Sequence, residues 1–540
     1  MIEFFTSKSG APSMKVDGVA MHSPYDPARE ATRFIKETLG TDLPSTVIVL
    51  GECLGHVTES VARLRPSARI MAAVYSDEVV RTAPLSGALV WHPGSPLTFA
   101  DFLRVNLGEL QLEGLRVVEW PPAARAFPAV SRAVNEALRQ VIQELNGSFV
   151  TTVAAGRIWL RNSLANFLHV EPVLTGRLCA HGRPIVIAAP GPSLEEARQV
   201  LSELRPHYDL WALPSSCPCL LDSGLLPDLV VMTDPGFYSM HHLHFAAPPC
   251  PLAMPLSASR GAWSLPTGRA HPGSSVFLLE QPVLFEKALL EAAGIAAPVI
   301  APHGTVAATA IDLALASTSA PVIIAGLDMG ARDLLSHARP NAFDRLLHLE
   351  ASRLRPHVSL TFHRAVTLGS TRAAAASGLR VTPALRTYAG WFDEGLAAAA
   401  GRIHRLLPSS VPLGSMPPLD APGLRRLLHG QKAAQPGTAL NTNWDYPRED
   451  ERRRIASRLL KSWTAEMGAA RDSLTSHSSD AALAPFPRTL AFAQFIAPRR
   501  LVEMMKKARL GQETDARSTA LEMIAECISF LVHLEEHAIG

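Results

Sequence analysis

The sequence is poor in cysteine and contains no paired cysteine motif. Its 540 residues include six cysteines, and no two of them are spaced as CxxC. A disulfide scaffold needs a denser framework of cysteines, and structural zinc sites are usually built from such pairs. We therefore expect a reduced protein without a structural metal. The cysteines are Cys53, Cys179, Cys217, Cys219, Cys250 and Cys527.

An excess of one charge and long apolar runs are also missing. Lys and Arg total 51 against 49 for Asp and Glu, which leaves a net charge of +2. Because duplex-DNA binders usually carry a concentrated basic field, this balance argues against a nucleic-acid partner. No run of about 18 uncharged apolar residues is present, and the start MIEFFTSKSG lacks the basic-then-apolar order of a signal peptide. We expect a cytoplasmic protein without a membrane span.

The chain does have enough apolar sequence for several folded cores. Hydrophobic residues make up 47% and charged residues 19%, which excludes a mostly disordered protein. At roughly 150 residues per domain, the length predicts about three domains. A smaller α/β N-terminal domain is predicted over residues 1–160. There a helix should begin after Asp26, and the strand Thr46–Leu50, the helix Val57–Leu64 and the strand Ala68–Tyr75 form a βαβ unit.

Residues 161–400 alternate short apolar strands with helices. This alternation predicts an α/β fold with a Rossmann-like, mostly parallel sheet in the central domain. Residues 401–447, rich in Pro, Gly and Ser, are predicted to be a linker, and residues 448–540 an all-helical C-terminal domain. The run Arg452–Arg454 is interpreted as a solvated helix face. The predicted central strands are Pro184–Ala189, Asp209–Leu213, Leu229–Thr233, Val276–Leu279, Pro298–Ala301 and Pro321–Ala325.

Glycines and polar residues follow several of these strands, at the edge of a parallel sheet where ligands bind. In the first loop, Gly191 permits a tight turn and Pro192 presets the backbone. Ser193 is expected to cap the next helix, whose free N–H groups would suit a phosphate. The candidates in the later loops are Ser215, Asp234, His303, Gly304, Thr305, Gly326, Asp328 and His337.

Carboxylates at the strand ends allow more than one interpretation. Asp228 precedes the third central strand, where a turn or cap role is favoured, whereas Asp234 ends that strand and reaches the ligand edge. Asp328 closes a buried strand, which is a costly place for a carboxylate unless it is hydrogen-bonded or functional.

Four motifs occur in a fixed order along the chain: PGPSL, GLLPDLVVMTDP, HGTVAATAIDLA, and GLDM with SHA. This order resembles the motility-associated factor (Maf) glycosyltransferases, bacterial enzymes that glycosylate flagellin. The resemblance covers roughly residues 20–395. The chain departs from the family pattern at GECLG, where Cys53 replaces the middle glycine that relatives often carry. Further matching segments are His22–Ala31, Val47–His56, Val117–Pro128 and Val381–Phe392.

The resemblance implies a central domain similar to bacterial sialyltransferases. The donor would be a nonulosonic acid linked to CMP, with no further cofactor and no metal, and the acceptors would be Ser or Thr hydroxyls of flagellin. A hydroxyl acceptor needs a general base, for which His337 is the first candidate, Asp234 the second and His303 the third. Donor binding is assigned to Gly191, Pro192, Ser193, Ser215, Asp234, Gly304, Thr305, Gly326 and Asp328.

Two other functions stay open at this point. The order of GPS, PD and D also resembles archaeal hydroxymethylpterin diphosphokinases, and that reading needs a magnesium site at Asp228 and Asp234. A non-catalytic flagellin-binding protein, such as a chaperone, would instead keep the fold without turnover.

Overall fold

The fold was analysed in a computed structural model of the chain. The part of it described here is residues 1–179, 182–263, 275–301, 303–367, 371–372, 379–382, 385, 388–390, 392, 396, 399, 401–410, 412–429, 439–443, 446–476 and 486–538. Parts of the motif Val381–Phe392 and of the stretch 401–447 lie outside the described residues.

The strands fall into four sheets. Their bounds are β1 (Ile2–Thr6), β2 (Pro12–Val16), β3 (Val19–Ala20), β4 (Thr46–Glu52), β5 (Arg69–Val74), β6 (Leu89–Trp91), β7 (Leu115–Glu119), β8 (Val173–Cys179), β9 (Ile185–Ala188), β10 (Asp209–Ala212), β11 (Leu229–Val231), β12 (Leu252–Pro255), β13 (Val276–Leu279), β14 (Val322–Ala325), β15 (Ala331–Arg332), β16 (Thr371–Arg372), β17 (Leu379–Val381), β18 (Ile403–Leu406), β19 (Pro418–Leu419) and β20 (Ala439–Asn443).

Helices connect most of these strands and make up the C-terminal region. Their bounds are α1 (Pro27–Leu39), α2 (His56–Leu64), α3 (Asp77–Thr82), α4 (Phe99–Asn106), α5 (Pro121–Ala126), α6 (Pro128–His169), α7 (Leu194–Glu203), α8 (Cys217–Asp222), α9 (Phe237–Phe245), α10 (Leu284–Ala292), α11 (Val306–Ser317), α12 (Ala342–Glu350), α13 (His357–Thr367), α14 (Ala421–His429), α15 (Glu449–Ser476), α16 (Pro487–Ile496), α17 (Pro498–Arg509) and α18 (Glu513–Ala538). None of these described helices is long and apolar enough to cross a membrane.

By their internal contacts the residues form two compact units that interleave along the chain. The N-terminal unit holds Met1–Ala154 and Glu466–Ser529, and the central unit holds Ala155–Ala465 and Phe530–Gly540. The boundaries drawn from the sequence at 160, 400 and 447 stay a prediction.

The N-terminal unit contains a parallel sheet in the order β6-β5-β4-β7 and an antiparallel sheet of β1, β2 and β3. Strand β4 is buried along its whole length, as its run of β-branched and apolar residues predicts. Helix α1 begins at Pro27, and the Asp26 carboxylate accepts a hydrogen bond of 2.9 Å from Arg29 N. The predicted start of this helix is therefore confirmed.

The central unit is built on a ten-stranded sheet in the order β19-β18-β14-β9-β10-β11-β12-β13-β8-β20. All its pairs are parallel except that of β20 with β8. Ala188 of β9 lies in register with Ala212 of β10 and Ala325 of β14, so these strands end level. The chain proceeds from β9 toward β10 on one side and returns as β14 on the other. This reversal is a topological switch point, and the predicted fold class is confirmed.

Residues 401–447, predicted as a linker, contain regular structure instead. Strand β18 pairs in parallel with β14, and β19 pairs with β18. Helix α14 and strand β20 follow, and β20 lies against β8. Prolines that suggested a linker stand at the starts of these short elements, since Pro418 is the first residue of β19 and Pro422 lies in the first turn of α14, where a missing N–H is tolerated.

Two other expectations differ from the structure. The predicted strand Pro298–Ala301 is reduced to a bridge between Glu280 and Val299. Arg452 is 1% exposed rather than solvated, because its guanidinium donates to Leu168 O at 2.8 Å and to a Glu171 carboxylate oxygen at 2.7 Å. Arg453 and Arg454 do lie on the surface, where each forms an ion pair with a carboxylate one helical turn away.

Candidate functional site

A cavity of about 570 Å³ opens at the carboxyl ends of the central parallel strands. Its wall is built from the loops that follow β9, β10, β11 and β14, together with the start of α11 and parts of α12 and α13. The switch point between β9 and β14 is therefore part of the wall, as expected for an open parallel sheet. The predicted site residues that line it are Gly191, Ser215, Asp234, Thr305, Gly326, Asp328 and His337.

Two glycines let the strand ends approach one another closely. Gly191 N donates to Gly326 O at 2.8 Å, and a Cβ on Gly191 would lie 2.4 Å from that same oxygen. Gly326 has φ +74°, and a Cβ there would lie 2.2 Å from Ala189 O. Any side chain at either position would force the two loops apart, so both glycines shape the cavity floor.

Asp328 ties three segments together beneath the cavity. It is 2% exposed, and its Oδ2 accepts a hydrogen bond of 2.7 Å from Ser193 N at the start of α7. Its Oδ1 accepts from Ser410 N at 3.0 Å and from Ser410 Oγ at 3.3 Å. The expected cost of a buried carboxylate is thus offset by hydrogen bonds from the protein itself.

The turn Gly191–Ser193 does not offer the free N–H groups that the sequence suggested. Besides the Ser193 N–H held by Asp328, Leu194 N donates to Gly191 O and Glu195 N donates to Pro192 O. Ser193 is fully buried, and its side chain makes no cap hydrogen bond, so the predicted cap is wrong. An anion at this helix start would meet the Asp328 carboxylate rather than free donors.

The loop after β11 places an exposed carboxylate in the wall. Asp234 Oδ1 accepts from Gly236 N at 2.7 Å, which fixes the side chain within its own turn. The neighbouring carbonyl of Pro235 accepts from Asn162 Nδ2 of α6 at 3.1 Å. Asp234 is therefore held at the ligand edge while it remains open to solvent.

His337 belongs to an aromatic cluster in the wall. Its ring lies 5.0 Å from the Phe343 ring and 6.3 Å from the His242 ring, and its Nδ1 lies 2.9 Å from Ser336 Oγ. Burial, with repulsion from His242 and Arg364, lowers the pKa of His337 to about 3. Burial and the charge of Arg364 also lower the pKa of His242 to about 4. Both imidazoles are therefore neutral at pH 7.

Arginines from α13 and its surroundings supply the positive charge of the wall. Arg339, Arg364 and Arg380 all line the cavity, and none of them is among the site residues predicted from the sequence. Arg364 lies over the Phe343 ring, with its guanidinium carbon 3.6 Å from the ring centroid. Arg339 directly follows the SHA motif, Arg364 lies between motifs, and Arg380 directly precedes the segment Val381–Phe392, so none belongs to a motif that pointed to the site.

The motif around His303 contributes less than expected. Thr305 caps α11 as predicted, since its Oγ1 accepts a hydrogen bond from Ala308 N at 3.1 Å. His303 forms an ion pair with Asp312 and is absent from the wall. Gly304 is also outside the wall, although a Cβ on it would lie 2.6 Å from the ring of Tyr388, which does line the cavity.

Asp228 and Asp234 lie at opposite ends of β11. Asp228 Oδ2 accepts from Leu210 N at 2.7 Å and from the Arg205 guanidinium at 2.8 Å, which is a structural role before the strand. At about 3.3 Å per extended residue, roughly 20 Å of chain separates the two positions. The pair is therefore not arranged as the shared magnesium site that the diphosphokinase interpretation needs.

The GECLG loop of the N-terminal unit is filled by its own carboxylate. Glu52 is 1% exposed, and its Oε1 accepts from Cys53 N at 2.8 Å and from Gly55 N at 3.0 Å. Thr58 N and Thr58 Oγ1 donate to the other oxygen at 2.7 and 2.6 Å. This carboxylate lies at the start of α2, where a dinucleotide phosphate would bind in other proteins.

The fold is that of an α/β protein with a cavity at the switch point of a Rossmann-like sheet. A family model described as 6-hydroxymethylpterin diphosphokinase MptE-like matches residues 160–333, the part of the chain that supplies much of the wall. The solved structure of MAf glycosyltransferase from Magnetospirillum magneticum AMB-1 aligns with 99% of this chain and 92% of that chain. The TM-score is 0.61 and the sequence identity 11%, so the expected resemblance to Maf glycosyltransferases is confirmed as one of fold.

Two relatives from Treponema pallidum (strain Nichols), both uncharacterized proteins, are 27% identical to this chain. One match covers 243 residues, 45% of this chain and 52% of the relative, and the other covers 122 residues, 22% and 57%. The chain therefore spans little more than half the length of these relatives.

Proposed function

We propose that the chain is a glycosyltransferase that transfers a nonulosonic acid of the pseudaminic, legionaminic or sialic type from CMP to Ser or Thr hydroxyls of flagellin. The observation that carries the proposal is the convergence of four sequence motifs on one cavity at the switch point. The full-length likeness of fold to a MAf glycosyltransferase supports it. Glycosylation of flagellin would then take place in the cytoplasm of a flagellated bacterium. It would serve assembly of the flagellar filament and motility.

In this proposal the donor lies over the floor formed by Gly191 and Gly326, with Ser215 and Thr305 beside it. Departure of CMP leaves positive charge on the sugar ring, which the exposed carboxylate of Asp234 in the wall would stabilise. The proposal needs no cofactor beyond the nucleotide sugar. It assigns Asp328 to support of the loops rather than to direct contact with the phosphate.

His337 is the proposed general base. If its Nδ1–H donates to Ser336 Oγ, the lone pair of Nε2 is available to an acceptor hydroxyl. A pKa of about 3 makes it a weak base in the empty cavity. A bound anionic donor would raise that pKa by favouring the protonated imidazole, so base strength would follow donor binding.

Intact-mass analysis of flagellin from cells with and without this protein tests the function directly. The expected result is a loss of nonulosonic acid mass in the cells that lack it. Complementation with His337→Gln should restore little modification, whereas His303→Gln, a matched change outside the cavity, should restore it fully. Unchanged flagellin mass in the deleted strain would refute the proposal.

A diphosphokinase is the second candidate, because the family model of that description matches residues 160–333. The position of Asp228 at the far end of β11 argues against its magnesium site. Thermal melting separates the two functions, because a ligand that binds the folded state raises the melting temperature. CMP should stabilise a glycosyltransferase, and ATP with magnesium should stabilise a diphosphokinase.

A further inference from the structure

The guanidinium of Arg364 is a cation in the cavity wall without a carboxylate partner among the described residues. It is partly buried, and burial lowers its pKa, an effect that Tyr238 and the carboxylates of Asp344 and Glu350 oppose. Its close neighbour is the Phe343 ring, at 3.6 Å. Arg339, also in the wall, lies 3.6 Å from a Glu195 carboxylate oxygen. The third cavity arginine, Arg380, has no ion pair among the described residues either, but Arg364 is the one whose guanidinium stacks on an aromatic ring of the wall.

Stacking on an aromatic ring orients a guanidinium for ligand binding. The contact uses the face of the planar group and leaves its in-plane N–H donors available for a second interaction. Those donors match the spacing of two oxygens in a carboxylate or phosphate. The ring is itself held in place, because it lies 4.8 Å from the His242 ring and 5.0 Å from the His337 ring.

The usual position for an anion on this fold is already occupied. Asp328 binds Ser193 N at the start of α7, so an oxyanion there would face a buried negative charge. An anionic ligand in the same cavity therefore needs its positive partner on another wall. Arg364 is the candidate because the Phe343 ring orients its guanidinium and its N–H donors are not committed to a carboxylate among the described residues.

We propose that Arg364 is the anion-recognition residue of the cavity and that it binds an oxyanion of the donor, either the sugar carboxylate or the phosphate. This inference rests on the proposed function and deepens it. It also links recognition to catalysis, because the bound anion would neutralise the charge that Arg364 exerts on His337 and His242. The donor would then make the imidazole of His337 more basic as it binds.

The test measures equilibrium binding by calorimetry for the full chain and three variants. The probes are CMP-N-acetylneuraminic acid, CMP and uncharged cytidine. Arg364→Gln should lower the affinity for CMP-N-acetylneuraminic acid at least about tenfold, as expected for loss of a charge-assisted hydrogen bond. Its affinity for cytidine should be unchanged. Arg364→Lys keeps the charge without the planar fork and should fall between wild type and Arg364→Gln.

A matched control removes a similar contact outside the cavity. Arg345 lies over the Phe245 ring at 4.8 Å and is not part of the wall, so Arg345→Gln should bind all three probes as wild type does. Circular dichroism and melting temperature establish that each variant is folded. If Arg364→Gln does not fold, the folded Arg364→Lys decides, and wild-type affinity in that variant overturns the inference.

The pattern of losses identifies the oxyanion. A loss for both CMP and CMP-N-acetylneuraminic acid places Arg364 on the phosphate, and a loss for the sugar nucleotide alone places it on the carboxylate. Unchanged affinity for both in folded Arg364→Gln overturns the inference and leaves the proposed function standing. If wild type binds no cytidine nucleotide, the proposed donor is wrong, and ATP and pyrophosphate become the probes. If Arg364→Gln then binds ATP and pyrophosphate as tightly as wild type does, or if wild type binds neither, the inference is overturned as well.

Discussion

Replacing Asp328 by alanine is expected to destabilise the central unit strongly. The substitution removes the carboxylate that accepts from Ser193 N at 2.7 Å and from Ser410 N at 3.0 Å. Asp328 is 2% exposed and Ser193 is fully buried, so water has little access to the donors that are left behind. The loops after β9 and β14 lose one of their connections at the same time, while the hydrogen bond from Gly191 N to Gly326 O remains.

The magnitude follows from the groups left without partners. A buried donor that loses its acceptor costs about 1–3 kcal/mol, and two amides are affected, while removal of a buried charge returns part of that cost. We expect a net loss of about 2–5 kcal/mol. For a unit of this size, roughly 2 °C of melting temperature corresponds to 1 kcal/mol, which predicts a decrease of roughly 4–10 °C.

Differential scanning calorimetry measures this shift. Glu196→Gln is the control, because Glu196 is an exposed carboxylate whose ion pair is with Arg332. Surface pairs contribute about 0–1 kcal/mol, so the control should change the melting temperature little. A melting temperature for Asp328→Ala within about 1 °C of wild type would show that Asp328 does not hold these loops. It would also contradict the cost assigned here to a buried donor that loses its acceptor.

Three further outcomes are expected. Between about pH 6.5 and pH 4 the unfolded chain binds protons that the folded His242 and His337 do not. As the pH is lowered through this range, the free energy of unfolding should therefore decrease by at most about 1.4 kcal/mol per pH unit for each histidine. In His242→Phe, the melting temperature measured by calorimetry should depend less on pH across this range. A chain ended near residue 405 loses part of β18 and all of β19 and β20, so circular dichroism should show an unfolded central unit, and a folded product that binds CMP would contradict this. Sugar transfer should continue in EDTA, and restoration by magnesium or manganese of a lost activity would show that a metal is required.

The position of the cavity could be predicted from the sequence because it depends on backbone topology. Apolar runs that alternate with helices predict parallel strands, and the residues that follow such strands meet at one edge. Gly191 and Gly326 mark the two strand ends that come closest, and their roles depend on main-chain atoms rather than on distant side chains. This is why loops that are far apart in sequence were correctly placed together.

The details of the site could not be predicted because they depend on side chains brought together by packing. Ser193 looked like a helix cap, but its N–H is bound by Asp328, which lies 135 residues further along the chain. Arg364 and Phe343 lie on α13 and α12, whose sequences resemble ordinary amphipathic helices. No local pattern distinguishes an arginine that stacks inside a cavity from one that faces solvent.

Both units place one of their own carboxylates at the start of a helix that follows a central parallel strand. Glu52 accepts four hydrogen bonds around the start of α2, and Asp328 accepts from the start of α7. In proteins that bind nucleotides at such a position, the same N–H groups and the helix dipole hold a phosphate. A phosphate brought to either helix here would have to displace a buried, fully hydrogen-bonded carboxylate or bind beside its negative charge. These two helix starts therefore serve stability, and the cationic side chains of the central cavity, Arg364 among them, are the proposed recognition groups for an anionic ligand.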